Sequence, residues 1–272
     1  QLNKVPIPGS VVRWEGIELT AERGSGRRHS IQTILAALAA ASIVAVMIPN
    51  AAAAADRCDD LMATSRSMQA DLTSALDAMN RKDTARMRAL LPGLERRLNA
   101  LPAVEILPET CADHVNAYTA LQYTQLTTLQ ARGQPTGFPA KLTIVKQPDL
   151  NHRVLAYAVG WIKFETGDLD GAKAAYAKGL KMYPHDPSLQ SEYMATLIKM
   201  SDGAGVVAFA TKVLADTPNL TDSERANTYR ALGIGYVLQN DRANGKSMLE
   251  VAQKYEWNQD TDTILKQLDR GS

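Results

Sequence analysis

From Leu61 onward apolar residues recur at intervals of three and four, and the places where that rhythm stops divide the chain into helices. Leu61, Met62, Met68, Leu72, Leu76 and Met79 make one apolar stripe; Met87, Leu90, Leu91, Leu94, Leu98 and Leu101 make a second, beyond a turn at residues 80–83. A third helix is predicted over 108–131. Gly133, Pro135, Gly137, Pro139 and Pro148 then break the pattern, so residues 133–150 are predicted to link a helical N-terminal domain, 56–132, to a second helical region, 151–272. Leu142, Ile144 and Val145 within the linker predict that it crosses a protein surface.

The second helical region repeats itself. Residues 153–184 carry Val159-Gly160, the turn Thr166-Gly167-Asp168, then Ala172, Tyr176 and Pro184. Residues 187–218 answer with Tyr193-Met194, Leu197, the turn Ser201-Asp202-Gly203, Val206, Ala210 and Pro218. A third unit holds Tyr229, Leu232-Gly233, Tyr236, the turn Asn240-Asp241, Gly245, Leu249 and Ala252, and Thr261–Leu268 follows as a capping helix. Small Gly160 and Ala172 are expected where two helices cross, with Tyr176 filling the gap toward the next unit.

With its period of about 34 residues, this frame resembles the tetratricopeptide repeat family. The resemblance implies an all-α protein in which a helical N-terminal bundle precedes a right-handed α-solenoid with a C-terminal capping helix. It also implies a concave face, lined by the first helix of each unit, that grips a peptide or a partner helix. Here the groove candidates are Tyr157, Trp161, Phe164, Ser191, Ile198, Asn227, Arg230 and Ile234. Tyr157 and Trp161 stand where chaperone-binding members of the family carry Lys and Asn, so that carboxylate clamp is absent. Ala156 and Lys163 stand where the family favours aromatics, which predicts a rearranged first unit. An aromatic-rich groove with one Arg suits an apolar or mixed partner segment; packing on the N-terminal helices accounts for the same residues equally well.

Ahead of the helices, the apolar run Ile31–Met47 follows Arg27-Arg28 and precedes Ala51–Ala55. Residues 31–55 are therefore expected to be a signal peptide cleaved after Ala53 or Ala55, or, if uncleaved, a membrane anchor over 31–48. Either form places residues 56 onward in the periplasm or outside the cell. Within residues 1–30 the run from Val11 to Leu19 alternates like strands around a turn. With Pro6, Gly9, Trp14-Glu15-Gly16 and residues 26–31, this segment resembles the tail of the transporter-associated domain that ends many CBS-domain efflux proteins. It is expected to be an appended segment without activity of its own.

Composition removes some functions. The formal net charge is +1, and residues 1–55 hold five of the 30 basic and three of the 29 acidic residues, leaving 25 against 26. No basic stripe exists to hold nucleic acid. The two cysteines, Cys58 and Cys111, both follow the export segment and are expected to form a disulfide, with the first and third helices of an up-down-up bundle starting at one end. On the chain-entropy model that bridge stabilises by roughly 4 kcal/mol.

Catalytic motifs are lacking. His29, His114, His152 and His185 lie in unrelated contexts, and Glu109, Cys111, Asp113 and His114, all from one segment, make a poor metal site. No metal and no cofactor is expected. These observations together predict a protein–protein interaction scaffold or adaptor of the bacterial cell envelope rather than an enzyme. The alternative is a subunit, catalytic or not, with a small-molecule or metal pocket between the N-terminal helices and the solenoid.

Overall fold

A computed structural model describes residues 11–14, 17–21, 34–38, 60–111, 114–148 and 150–270, which fall into two compact units, Gln1–Pro49 and Asn50–Ser272. In the first unit, β1 (Val11–Trp14), β2 (Ile17–Ala21) and β3 (Ile34–Leu38) form an antiparallel sheet in that order. The alternating run predicted as strands supplies β1 and the start of β2, with Val11 opposite Thr20 and Trp14 opposite Ile17. β3 comes from the apolar run read as an export segment, and its register sets Ile17 opposite Leu38 and Ala21 opposite Ile34. Strand pairing thus crosses the boundary drawn after residue 30. The other residues of 31–55 lie outside the described residues, and no described helix is long and apolar enough to span a membrane.

The second unit opens with α1, described over 60–67, then α2 (Gln69–Asn80) and α3 (Thr84–Ala100). After β4 (Glu109–Cys111), β5 (His114–Ala117), α4 (Ala120–Ala131) and β6 (Thr143–Lys146) come α5 (Asn151–Glu165), α6 (Leu169–Met182), α7 (Pro187–Lys199) and α8 (Gly203–Asp216). α9 (Asp222–Leu238), α10 (Arg242–Tyr255) and α11 (Gln259–Arg270) complete the chain. The predicted all-α architecture holds, as helix pairs stacked in a row with a small sheet set between the first two.

A single turn, used four times, builds the row. Lys82, Gly167, Ser201 and Asn240 each adopt a left-handed backbone, with φ of 53°, 88°, 58° and 62°. The aspartate that follows donates its backbone N–H to the carbonyl five residues back at 2.9 Å in every copy: Asp83 to Ala78, Asp168 to Lys163, Asp202 to Leu197 and Asp241 to Tyr236. Each of those side chains then caps the next helix, accepting from the backbone N–H of Arg86, Gly171, Gly205 and Asn244 at 2.9–3.1 Å. One residue reverses the chain and the next starts the returning helix. Second helices α6, α8 and α10 all run 14 residues.

The pairs α2–α3, α5–α6, α7–α8 and α9–α10 pack alike. The second helix of each lies on the first helix of the next, α3 on α5, α6 on α7 and α8 on α9, while the first helices also touch in sequence, α2 with α5, α5 with α7 and α7 with α9. α11 covers α10 as the cap. The N-terminal helices are accordingly a further repeat rather than two members of a separate bundle. One apolar core runs from Met68, Leu72 and Leu94 through Leu155, Ile162 and Tyr176 to Leu189.

The predicted third helix over 108–131 is corrected. It begins only at Ala120, where the Thr119 side chain accepts from Gln122 N–H and Gln122 returns a bond to the Thr119 backbone. The residues before it form β4 and β5, and β6 from the predicted linker pairs parallel to β5, with Val115 opposite Ile144. β-Branched Thr110, Val115, Ile144 and Val145 suit a pleated surface, and Pro108 disfavours a helix before it. Leu142 and Ile144 pack on Val115, Ala117 and Leu126, which gives the apolar linker residues their surface. This αβ insert is fastened to the stack where the Ile106 N–H donates to the Met182 carbonyl at 2.9 Å.

Candidate functional site

First helices that touch in sequence leave a shared face, and across α5, α7 and α9 that face is hollow. The cleft, ≈310 Å3, is lined by Tyr157 from α5, Ser191, Glu192 and Met194 from α7, and Asn227 and Thr228 from α9. Ser191 and Asn227 are exposed, whereas Tyr157 and Glu192 are half-buried. Burial, followed by the charge of Glu192, raises the Tyr157 phenol above its ordinary value. The Glu192 carboxyl is also raised, first by burial and then by repulsion from Glu165, with the phenols of Tyr157 and Tyr176 opposing.

Of the groove candidates, Tyr157, Ser191 and Asn227 line the cleft and the others lie elsewhere. Trp161 and Phe164 pack against the first core, which α2 and α3 share with α5. Ile198 packs on the second core with Met194, Leu197 and Val206. Arg230 bends toward the cap, donating through Nε to Thr261 Oγ1 at 2.7 Å and to Asn227 Oδ1 through its other arm. Ile234 is half-buried.

Lys163, an unusual residue for its position, is explained by the additional repeat. Its ammonium bridges Glu95 of α3 at 2.6 Å and Asp168 of the following turn at 2.7 Å. Burial pulls the Lys163 pKa down, but its hydrogen bonds to Asp168 and Glu95 outweigh that and hold it above the ordinary value. Tyr176 fills space over Gly160 inside its own pair, where the sequence pattern placed it toward the next one. Ala156 is small because Gly179 of α6 approaches it; a methyl on Gly179 would stand 2.8 Å from the Ala156 methyl.

Two further hollows lie where the insert meets the helices. One, ≈330 Å3, is lined by Gln122, Arg153, Met182, Tyr183, His185 and Asp186, with Arg153 and Asp186 paired at 3.3 Å. The other, ≈670 Å3, runs between Leu61, Leu101, Val104, Leu107 and His152. Of the single-segment metal constellation, Asp113 lies outside the described residues. Cys111 faces His114 across β4 and β5, and no group of three metal-binding side chains gathers among the described residues.

His152 opens α5, is 1% exposed, and has no hydrogen-bond partner for Nδ1. Burial pushes its pKa from 6.5 down to about 4. An unfolded imidazole takes a proton near pH 6.5 and the folded one only near pH 4, so stability is complete above pH 6.5 and is lost as pH falls toward 4. The loss approaches roughly 3 kcal/mol. Urea unfolding at pH 7.5 and 4.5 measures it, and His152→Leu is expected to remove most of that difference.

No protein-family model matches the sequence, and no curated protein matches it. Among solved structures, the NMR structure of the first TPR domain of the human RPAP3 protein is similar at 16% identity and a TM-score of 0.40, covering 44% of this chain and 91% of that one. The fold assignment stands on the repeated turn and the packing order of the chain's own helices, which make it a tetratricopeptide-like α-solenoid.

Proposed function

We propose that this protein is an adaptor of the bacterial cell envelope that holds a segment of a partner protein in the cleft across α5, α7 and α9. The observation that supports the role is the cleft itself, formed where first helices of three successive pairs come side by side and open to solvent at Ser191 and Asn227. Polar side chains with an aromatic wall suit a peptide, whose backbone needs hydrogen-bond partners along its length. We further propose delivery by residues 31–55, no catalytic step, and a disulfide between Cys58 and Cys111. Cys58 lies outside the described residues; Cys111 is 5% exposed at the end of β4.

Filling the cleft tests the role. A Ser191→Trp chain should fold with an unchanged melting temperature and lose its partners in envelope pull-downs, while Lys212→Trp, on the second helix of the same pair, should keep them. Retention of every partner by Ser191→Trp would overturn the groove.

A further inference from the structure

Glu192 lines the cleft from the middle one of its three helices. Other partly buried acids in the stack are matched by cations, Asp186 by Arg153 at 3.3 Å, Glu95 by Lys163 at 2.6 Å and Asp202 by Lys173 at 3.6 Å, while Asp241 is held by the backbone and side-chain N–H groups of Asn244. Glu192 has no ion pair among the described residues, and no Lys or Arg lines the cleft. The second acid there, Glu224, is engaged by the Thr221 N–H and hydroxyl at 2.7 and 2.8 Å in its capping box.

A buried phenol lies beside Glu192. Tyr176 is fully buried, and its hydroxyl has no hydrogen-bond partner. That hydroxyl, like that of Tyr157, lies against the Glu192 carboxyl, and burial followed by the Glu192 charge raises its pKa. A carboxylate withdrawn from water with phenols but no cation against it is costly to leave so.

We propose that the cleft receives a basic side chain of the partner segment, with Glu192 as its counter-ion and the Tyr157 ring as the surface for its stem; the proposal rests on the partner-groove role above. A guanidinium needs acceptors for several N–H groups, which Glu192, Ser191 and Thr228 supply. Its flat face suits an aromatic wall. Pairing would return to Glu192 the stabilisation that burial removes, so the recognised segment is basic rather than the apolar or mixed one the sequence pattern suggests.

The test is an NMR titration of the full chain with three acetylated, amidated decapeptides of leucine and serine that differ only in a central Arg, Gln or Glu. The Arg peptide should shift the amides of Ser191, Glu192 and Asn227 and bind about tenfold tighter than the Gln peptide, and the Glu peptide should bind weakest. In Glu192→Gln the preference for Arg should vanish while the melting temperature holds or rises. If the Gln peptide shifts those amides at equal affinity, or Glu192→Gln keeps the preference, the groove survives and the counter-ion is overturned. If no peptide shifts them, both fall.

Discussion

Tyr176→Ala is expected to lower the free energy of unfolding by roughly 4 kcal/mol, whereas Tyr176→Phe should change it by less than about 1 kcal/mol. The ring is fully buried on α6 and packs over Gly160 of α5, where an added methyl group would overlap it. Removing the ring leaves a cavity that two helices held by short turns cannot close. Removing only the hydroxyl takes away a buried group with no hydrogen-bond partner, and the volume is kept. Gly160→Ala should cost about 2 kcal/mol alone, because the methyl and the ring compete for one place. Combined with Tyr176→Leu it should cost less than the sum of the two single changes, since the smaller side chain gives way. Urea unfolding of the single and double variants provides the comparison, and strict additivity would mean that the ring does not lie on the glycine.

Reduction of the proposed Cys58–Cys111 disulfide is expected to destabilise the protein by roughly 4 kcal/mol through the loop it releases. The structure gives Cys111 a fixed setting at the end of β4. Asn116 Nδ2 donates to its Sγ at 2.9 Å, and Asn116 Oδ1 in turn accepts from Gln147, just beyond β6. The bridge would tie the segment before α1 to the strands of the insert. Thermal melts with and without a thiol reductant, repeated on Cys58→Ser, should show a lowered midpoint in the reduced protein and no further effect of reductant on the variant. An equal midpoint on reduction would rule the bridge out.

The repeat from α5 to α10 is legible because Gly160, Ala172 and Tyr176 fall where the pattern requires them and the turn at Asp168 recurs at Asp202, 34 residues on, and again at Asp241 after a spacer. Lys82-Asp83 carries the same turn signal, yet α2 and α3 read as a separate bundle, since α3 runs 17 residues against 14 in the other second helices and an insert follows it. The strands of that insert are three, four and four residues long, too short for alternation to show, and β5 meets β6 only through a distant pairing. Groove candidates inherit the same gap. Trp161 and Phe164 look free when α5 is taken as the first helix of the stack, and are half-buried against the core that α2 and α3 share with α5. Arg230 depends on where α11 places Thr261. Glu192 sits beside the aromatic Tyr193 that draws attention first, and its isolation from cations emerges only in three dimensions.

A photo-crosslinking amino acid placed at Ser191 in the cleft, and in a separate protein at Lys212 on α8, tests the partner groove most directly. In the native envelope the probe at 191 should capture a discrete partner that Glu192→Gln weakens, and the probe at 212 should capture none of it. Equal capture from both positions, or from 212 alone, would contradict the account.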